Sequence, residues 1–202
     1  MQQRNERRDA AEHRQLILQT ASQLFVTHGV ESVSMHQIAK SAGIGQGTLY
    51  RRYSSKADLC TELLQDSFRR FTEELDSYLM TAAHLPVQER LLELMSRWID
   101  LSVEKLQWFH VIKAPTFCSV DEVKYYNIPP CLYLKAVLER LLQEAVDSAE
   151  IRPLNAEFTA FNIVTGINPE AFIHLIQERN YSGDQIKKHF LDHYRRTLFA
   201  GD

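Results

Sequence analysis

Cysteine is scarce in this 202-residue chain, with only Cys60, Cys118 and Cys131. They are widely spaced and odd in number, which argues against a disulfide framework and against a compact metal site. A reducing cytoplasm is the compartment expected for such usage. No uninterrupted apolar run approaches the roughly 20 residues of a membrane span. The opening stretch, MQQRNERRDAAEHRQ, is polar and lacks the apolar region of a secretory signal. Also missing are a clustered metal-ligand motif, a glycine loop for phosphate and a nucleophile elbow. Neither metal nor cofactor is therefore expected. His110 with Cys118, or Asp121 with Glu122, could be assembled into chemistry, but the sequence specifies neither their partners nor their positions. An enzyme is the weakest reading.

What is present is a hydrophobic fraction of 45%, ordinary for a chain that buries a core. The charge is unevenly divided. Up to Lys56 there are eight Lys/Arg against four Asp/Glu, and beyond it fifteen against twenty-two, within an overall net charge of −3. A basic head on an acidic body suits a protein that meets nucleic acid at one end.

The basic end contains the most informative stretch, SMHQIAKSAGIGQGTLYRRYSSKADL, from Ser34 to Leu59. Ser34 and Gln37 have the spacing of a capping box. Met35, Ile38, Ala39 and Ala42 then recur on one face of a short helix. Gly43 supplies the freedom in φ for a sharp turn. A second short helix starts near Gly45 or Gln46 and carries Thr48, Leu49, Tyr50, Arg51, Arg52 and Tyr53. Two short helices around a glycine-containing turn are the parts of a helix-turn-helix, whose second helix can enter the major groove. Gln46, Thr48, Tyr50, Arg51, Arg52 and Lys56 include donors suited to base edges and to phosphates.

Taken together, Ile38-Ala39, Ala42-Gly43-Ile44, Gly47-Thr48-Leu49-Tyr50, Tyr53 and Lys56-x-x-Leu59 resemble the DNA-binding segment of TetR-type transcriptional regulators. The resemblance runs from about Arg14 to Leu63, roughly a quarter of the chain. Gly45 replaces the usual hydroxyl cap, at a cost of a few tenths of a kcal/mol, and Tyr53 replaces the usual phenylalanine. The resemblance implies a bacterial, ligand-responsive regulator that binds a palindromic operator as a homodimer, without a membrane partner. Repression is the usual outcome in the family, and activation stays open on the residues alone. Gln46 and Arg51 are expected at base edges, with Thr48, Tyr50, Arg52 and Lys56 on phosphates, although the two arginines can exchange roles. Ser34, His36 and Gln37 are expected against the DNA backbone.

Periodicity elsewhere predicts an all-α fold of about nine helices, with a head over residues 1–55 and a ligand-binding and dimerisation domain over 56–202. Residues before about Ala10 read as a frayed arm, followed by a first helix over 11–28 that Gly29 ends. Further helices are predicted over 56–80, 87–104 and 130–149. A segment from Asn155 through Glu178 is expected to be kinked or divided at Pro169, and a last helix covers 183–199. The stretch 106–112 is too short for a long helix.

Two roles are expected of the body. The late helices are apolar on broad faces, and the resemblance implies that they pair with their copies. Phe158, Phe161, Leu175, Ile176, Phe190 and Tyr194 are the interface candidates, with intrachain core as the competing role. The resemblance also implies a small-molecule pocket. Trp98, Trp108, Phe109, His110, Phe117, Tyr125, Tyr126 and Phe172 have the aromatic, mostly apolar composition of a ligand cavity, with Asn162 and Thr165 as polar members. A flat cation, an acyl chain and a hydrophobic metabolite all remain open as effectors. A helical adaptor that keeps DNA binding but uses its body for a protein partner is the alternative.

Overall fold

Helix α1 begins at Gln2 and runs to His28, so the residues expected as a frayed arm are helical instead. Nothing between Gln2 and Gln15 is proline or glycine, and the run is rich in good helix formers. The computed structural model describes residues 2–112 and 128–199. After α1 come α2 (Met35–Ser41), α3 (Gln46–Arg52), α4 (Lys56–Thr81), α5 (Val87–Glu104) and α6 (Leu106–Ile112). The later helices are α7 (Pro129–Asp147), α8 (Ala156–Gly166), α9 (Pro169–Gln177) and α10 (Gly183–Phe199). The described residues thus form an all-α fold of ten helices rather than about nine.

Part of that difference lies between Asn155 and Glu178, where there are two helices. Asn155 caps α8 through a hydrogen bond from the Phe158 N–H, 2.8 Å long. Asn168 then caps α9, accepting from the Glu170 N–H at 2.8 Å, with Pro169 as the first helical residue. Proline has no N–H to lose at that position and its φ is already helical. It divides the segment by starting a new helix.

The chain forms two compact units. The first runs to Ser67 and takes in the described residues from Gln107 to Ile112; the second holds the rest. The division therefore falls inside α4, later in the chain than the expected boundary at 55. In the first unit Ile17, Ala21, Phe25, Ile38, Leu49 and Leu59 are buried together with Trp108. The Trp108 ring meets Phe25 edge to face, with centroids 6.5 Å apart. Gly29 ends α1 at φ +78°, and its N–H returns to the Phe25 carbonyl.

In the second unit α5 packs against α7 and α10, and α7 packs along α8. Leu91, Leu94, Met95, Ile99, Leu134 and Leu138 are fully or almost fully buried there, each side chain contributing about 1.5–3 kcal/mol on burial. The start of α5 is clasped by charges. Glu150 accepts from the Val87 and Gln88 N–H groups at 3.0 and 3.1 Å, filling donors that the helix leaves open. Arg90, whose side chain is 8% exposed, donates to both Glu144 oxygens at 3.1 and 2.5 Å and to the Leu85 carbonyl at 3.1 Å.

The Arg90 hydrogen bonds hold the Glu144 carboxyl below its ordinary value of 4.5. A carboxyl depressed in the folded state stabilises above its unfolded pKa, and that contribution is lost as pH falls through the folded value. Replacing Glu144 leaves the buried Arg90 cation without its carboxylate. Glu144→Gln is expected to lower stability in urea unfolding at pH 7 by about 1–3 kcal/mol. The gap to the wild type should close as pH falls below 4.5.

Candidate nucleic-acid interface

Ser34 sets the entrance to α2. Its hydroxyl accepts from the Gln37 N–H at 3.2 Å while the Gln37 side chain accepts from the Ser34 N–H at 2.8 Å, a complete capping box. Met35, Ile38 and Ala39 are buried, which turns His36, Gln37 and Lys40 outward on one face. Gly43 then takes φ +66°, a left-handed conformation that costs glycine no Cβ clash. The turn is closed by hydrogen bonds from Gly43 to Lys40 and from Ile44 to Ala39.

Helix α3 has seven residues and one buried side chain, Leu49. Gln46, Gly47, Tyr50, Arg51 and Arg52 are exposed around it, and Thr48 is half-buried. Tyr50 presents 49% of its surface. Gly45 is the N-cap and makes no side-chain cap hydrogen bond, as a residue without a hydroxyl must. Gln46 at the start of α3 is in hydrogen-bonding contact with His36 of α2. Apart from Lys56, every residue expected at DNA therefore lies on the outer surface of α2–α3 or partly open beside it. Lys40 shares that surface and was not anticipated. Its signal was present, as a cation four residues after His36 on the same helical face.

Lys56 is placed differently. Its Nζ donates to the carbonyls of Val30, Glu31 and Val33 at 2.7, 3.2 and 3.0 Å. An ammonium has three N–H donors, so each has an acceptor inside the head. Residue type gave no sign of this contact: the carbonyls of the α1–α2 turn offset the unfavourable cation at the start of α4. Ser55, just before the helix, caps it: its hydroxyl accepts from the Asp58 N–H at 3.1 Å. Behind α3, Tyr53 is buried beside the Arg14–Glu62 ion pair. Burial and the Glu62 carboxylate keep its phenol neutral well above the ordinary range.

The described residues expected around an effector are divided between the two units. Trp98 and Phe172 are buried in the core of the second unit, the latter edge to face with Phe190 at 5.7 Å. Trp108 is buried in the first unit, where Phe109 is half-buried. Trp98 and Trp108 thus complete two different cores. Asn162 is exposed on α8, and the Thr165 hydroxyl donates to the Asn162 carbonyl at 3.0 Å. His110 falls on α6, with its side chain outside the described residues, as are Phe117, Tyr125 and Tyr126. An open groove of about 480 Å³ is lined instead by Glu73, Glu74, Ser77, Tyr78, Thr81 and Arg97. The Arg97 guanidinium lies 4.3 Å above the Tyr78 ring.

Among the interface candidates, Phe158 and Phe161 are 63% and 39% exposed on α8. Leu175, Ile176, Phe190 and Tyr194 pack partly buried against the core. Among the described residues, no three His, Cys, Asp or Glu side chains group as metal ligands, and no helix is long and apolar enough to cross a membrane.

A short capped helix, a tight glycine turn and a second helix turned outward on one buried leucine define a helix-turn-helix head, and the other elements among the described residues are likewise helical. Residues 17–63 match the model of bacterial regulatory proteins, tetR family. An HTH-type transcriptional regulator of Staphylococcus aureus (strain bovine RF122 / ET3-1) is 49% identical over 65 residues, which are 32% of this chain and 35% of that protein. The match thus spans about a third of that relative's length. The fold extends further. A putative transcriptional regulator from Saccharomonospora viridis in complex with choline superposes with a TM-score of 0.71 at 19% identity, over 95% of this chain and all of the other. The transcriptional regulator FadR from Bacillus subtilis, in complex with stearoyl-CoA, gives 0.62 at 19% identity over 88% and 95%. Over residues 17–63 the chain is thus similar to the bacterial regulatory proteins of the tetR family, and over the remainder the likeness is one of fold.

The facing of α2 and α3 can be tested by stability alone. Leu49→Ala is expected to cost about 2–5 kcal/mol, and Ser34→Ala about 0.5–2 kcal/mol. Tyr50→Ala should stay within about 0.5 kcal/mol. Chemical denaturation followed by circular dichroism reads this order. A Tyr50 variant less stable than the Leu49 variant would mean that α3 is rotated.

Proposed function

We propose that this protein is a ligand-responsive, DNA-binding transcriptional regulator. It binds a palindromic operator as a homodimer, and a small hydrophobic or aromatic effector releases it, making it a repressor. The observation that carries this reading is the outer face of α2–α3, where Gln46, Tyr50, Arg51 and Arg52 are exposed around the single buried Leu49. Gln46 and Arg51 are the base-edge residues, while Thr48, Tyr50 and Arg52 contact phosphates with Ser34, His36 and Gln37. The excess of cations up to Lys56 favours the same end of the chain.

One seven-residue helix reads few base pairs, so specificity requires a second head about 34–36 Å along the duplex. The dimer surface is formed by α8, α9 and α10, with Phe158 and Phe161 as exposed anchors and Leu175, Ile176, Phe190 and Tyr194 beside them. The effector acts in the second unit. Trp98 and Phe172 supply its aromatic walls. That two proteins of similar fold hold choline and stearoyl-CoA supports a ligand-binding body for this chain. A ligand that favours one head spacing lowers operator affinity by its differential affinity for the two forms.

Selection of bound fragments from genomic DNA by the purified protein, followed by footprinting, is expected to give a short inverted repeat. Salt-sensitive binding without sequence preference would defeat the operator reading. On the selected operator, Arg51→Ala should cost about 1–3 kcal/mol, concentrated at one base position, whereas Arg52→Ala should weaken all sequences evenly and reduce the salt slope by about 1. A combined Phe158→Glu and Phe161→Glu variant should be monomeric by light scattering and lose operator protection. A dimer of unchanged mass would remove this face as the interface.

A further inference from the structure

We infer that Lys56 is a positioning residue that sets the pose of the recognition helix from behind, without neutralising a phosphate. The inference rests on the DNA-binding reading of α2–α3 and adds a residue that acts on that site through the backbone. The Lys56 ammonium holds the carbonyls of Val30, Glu31 and Val33 at 2.7, 3.2 and 3.0 Å. That turn leads directly into Ser34, the N-cap of α2. Lys56 itself is the first residue of α4. The three hydrogen bonds therefore join the chain just before α2 to the chain just after α3, bracketing the whole helix-turn-helix.

The chemistry of the contact is specific to lysine. A tetrahedral ammonium can direct three N–H groups at three converging carbonyls. The N–H groups of arginine lie in one plane in a fixed fork suited to carboxylate or phosphate. An arginine at position 56 keeps the charge and would serve well on a phosphate, but it cannot reproduce the three-way contact with the turn. The two roles thus predict opposite outcomes for a charge-conserving change. A cation at the N-terminus of α4 is unfavourable with respect to the helix dipole, and the three carbonyls account for its presence without DNA.

The test uses the full chain with Lys56→Arg and Lys56→Met, titrated against the selected operator and an unrelated duplex at several salt concentrations. Both variants are expected to bind the operator at least about tenfold more weakly, with non-specific affinity and salt slope unchanged, as for a lost pose. Amide exchange in α2 and α3 should be faster in both. The inference is overturned if Lys56→Arg binds like the wild type while Lys56→Met weakens both duplexes equally and lowers the salt slope by about 0.9. Should the methionine variant not fold, the arginine variant decides by the same criteria. If the wild type shows no operator preference, the regulator reading fails, while amide exchange still decides the role of Lys56: unchanged exchange in Lys56→Arg overturns it.

Discussion

The burial of Leu49 is the contact on which the functional surface depends. A helix of seven residues has about two turns, so one anchored side chain settles its rotation. With Leu49 fully buried, Tyr50, Arg51 and Arg52 must come round to solvent, and Gln46 falls beside His36. The rest of the first unit exists to hold that leucine's surroundings still. The capping box at Ser34 and Gln37 fixes where α2 begins, Gly43 fixes the turn, and Lys56 ties the two flanks together. Such a short helix has little stability of its own, and its order comes from this frame.

The second unit is built on a different constraint, the start of α5. Glu150 closes the open donors of that helix from beyond α7, and Arg90 reaches Glu144 within α7. Since these groups come from distant parts of the chain, they tie the start of α5 to α7 and to the residues just beyond it. Pro169 then divides the late segment, freeing α8 to lie along α7 with Phe158 turned outward. A phenylalanine 63% exposed has no use in an intrachain core. Exposed aromatic anchors of this kind suit a buried partner surface.

Much of the head could be read from residue spacing, because its signals are local. Ser34 and Gln37 lie three apart and Gly43 sits one step beyond the apolar face, so both features act within a single turn of chain. The Lys56 contact spans more than twenty residues, and its acceptors are backbone carbonyls, which carry no side-chain signal. Residue type alone therefore suggested a phosphate. In the body, aromatic composition grouped Trp98 with Trp108, but composition says nothing about which core a ring completes. Trp108 belongs with Phe25 in the first unit. Asn162 reads as a polar group within an apolar helix, whereas its exposure on α8 follows from which face α7 covers.

By itself the sequence determined the all-helical class, the division into a basic head and an acidic body, the capped and glycine-punctuated helix-turn-helix, and the break in the late segment at Pro169. These follow from periodicity, caps and backbone freedom, which act over a few residues. Tertiary structure alone decided which side chains stay exposed, that the Lys56 ammonium turns back onto the chain, and which core receives each tryptophan. Those outcomes depend on contacts between residues far apart in sequence, whose energies are set by the geometry of packing and hydrogen bonding rather than by residue identity.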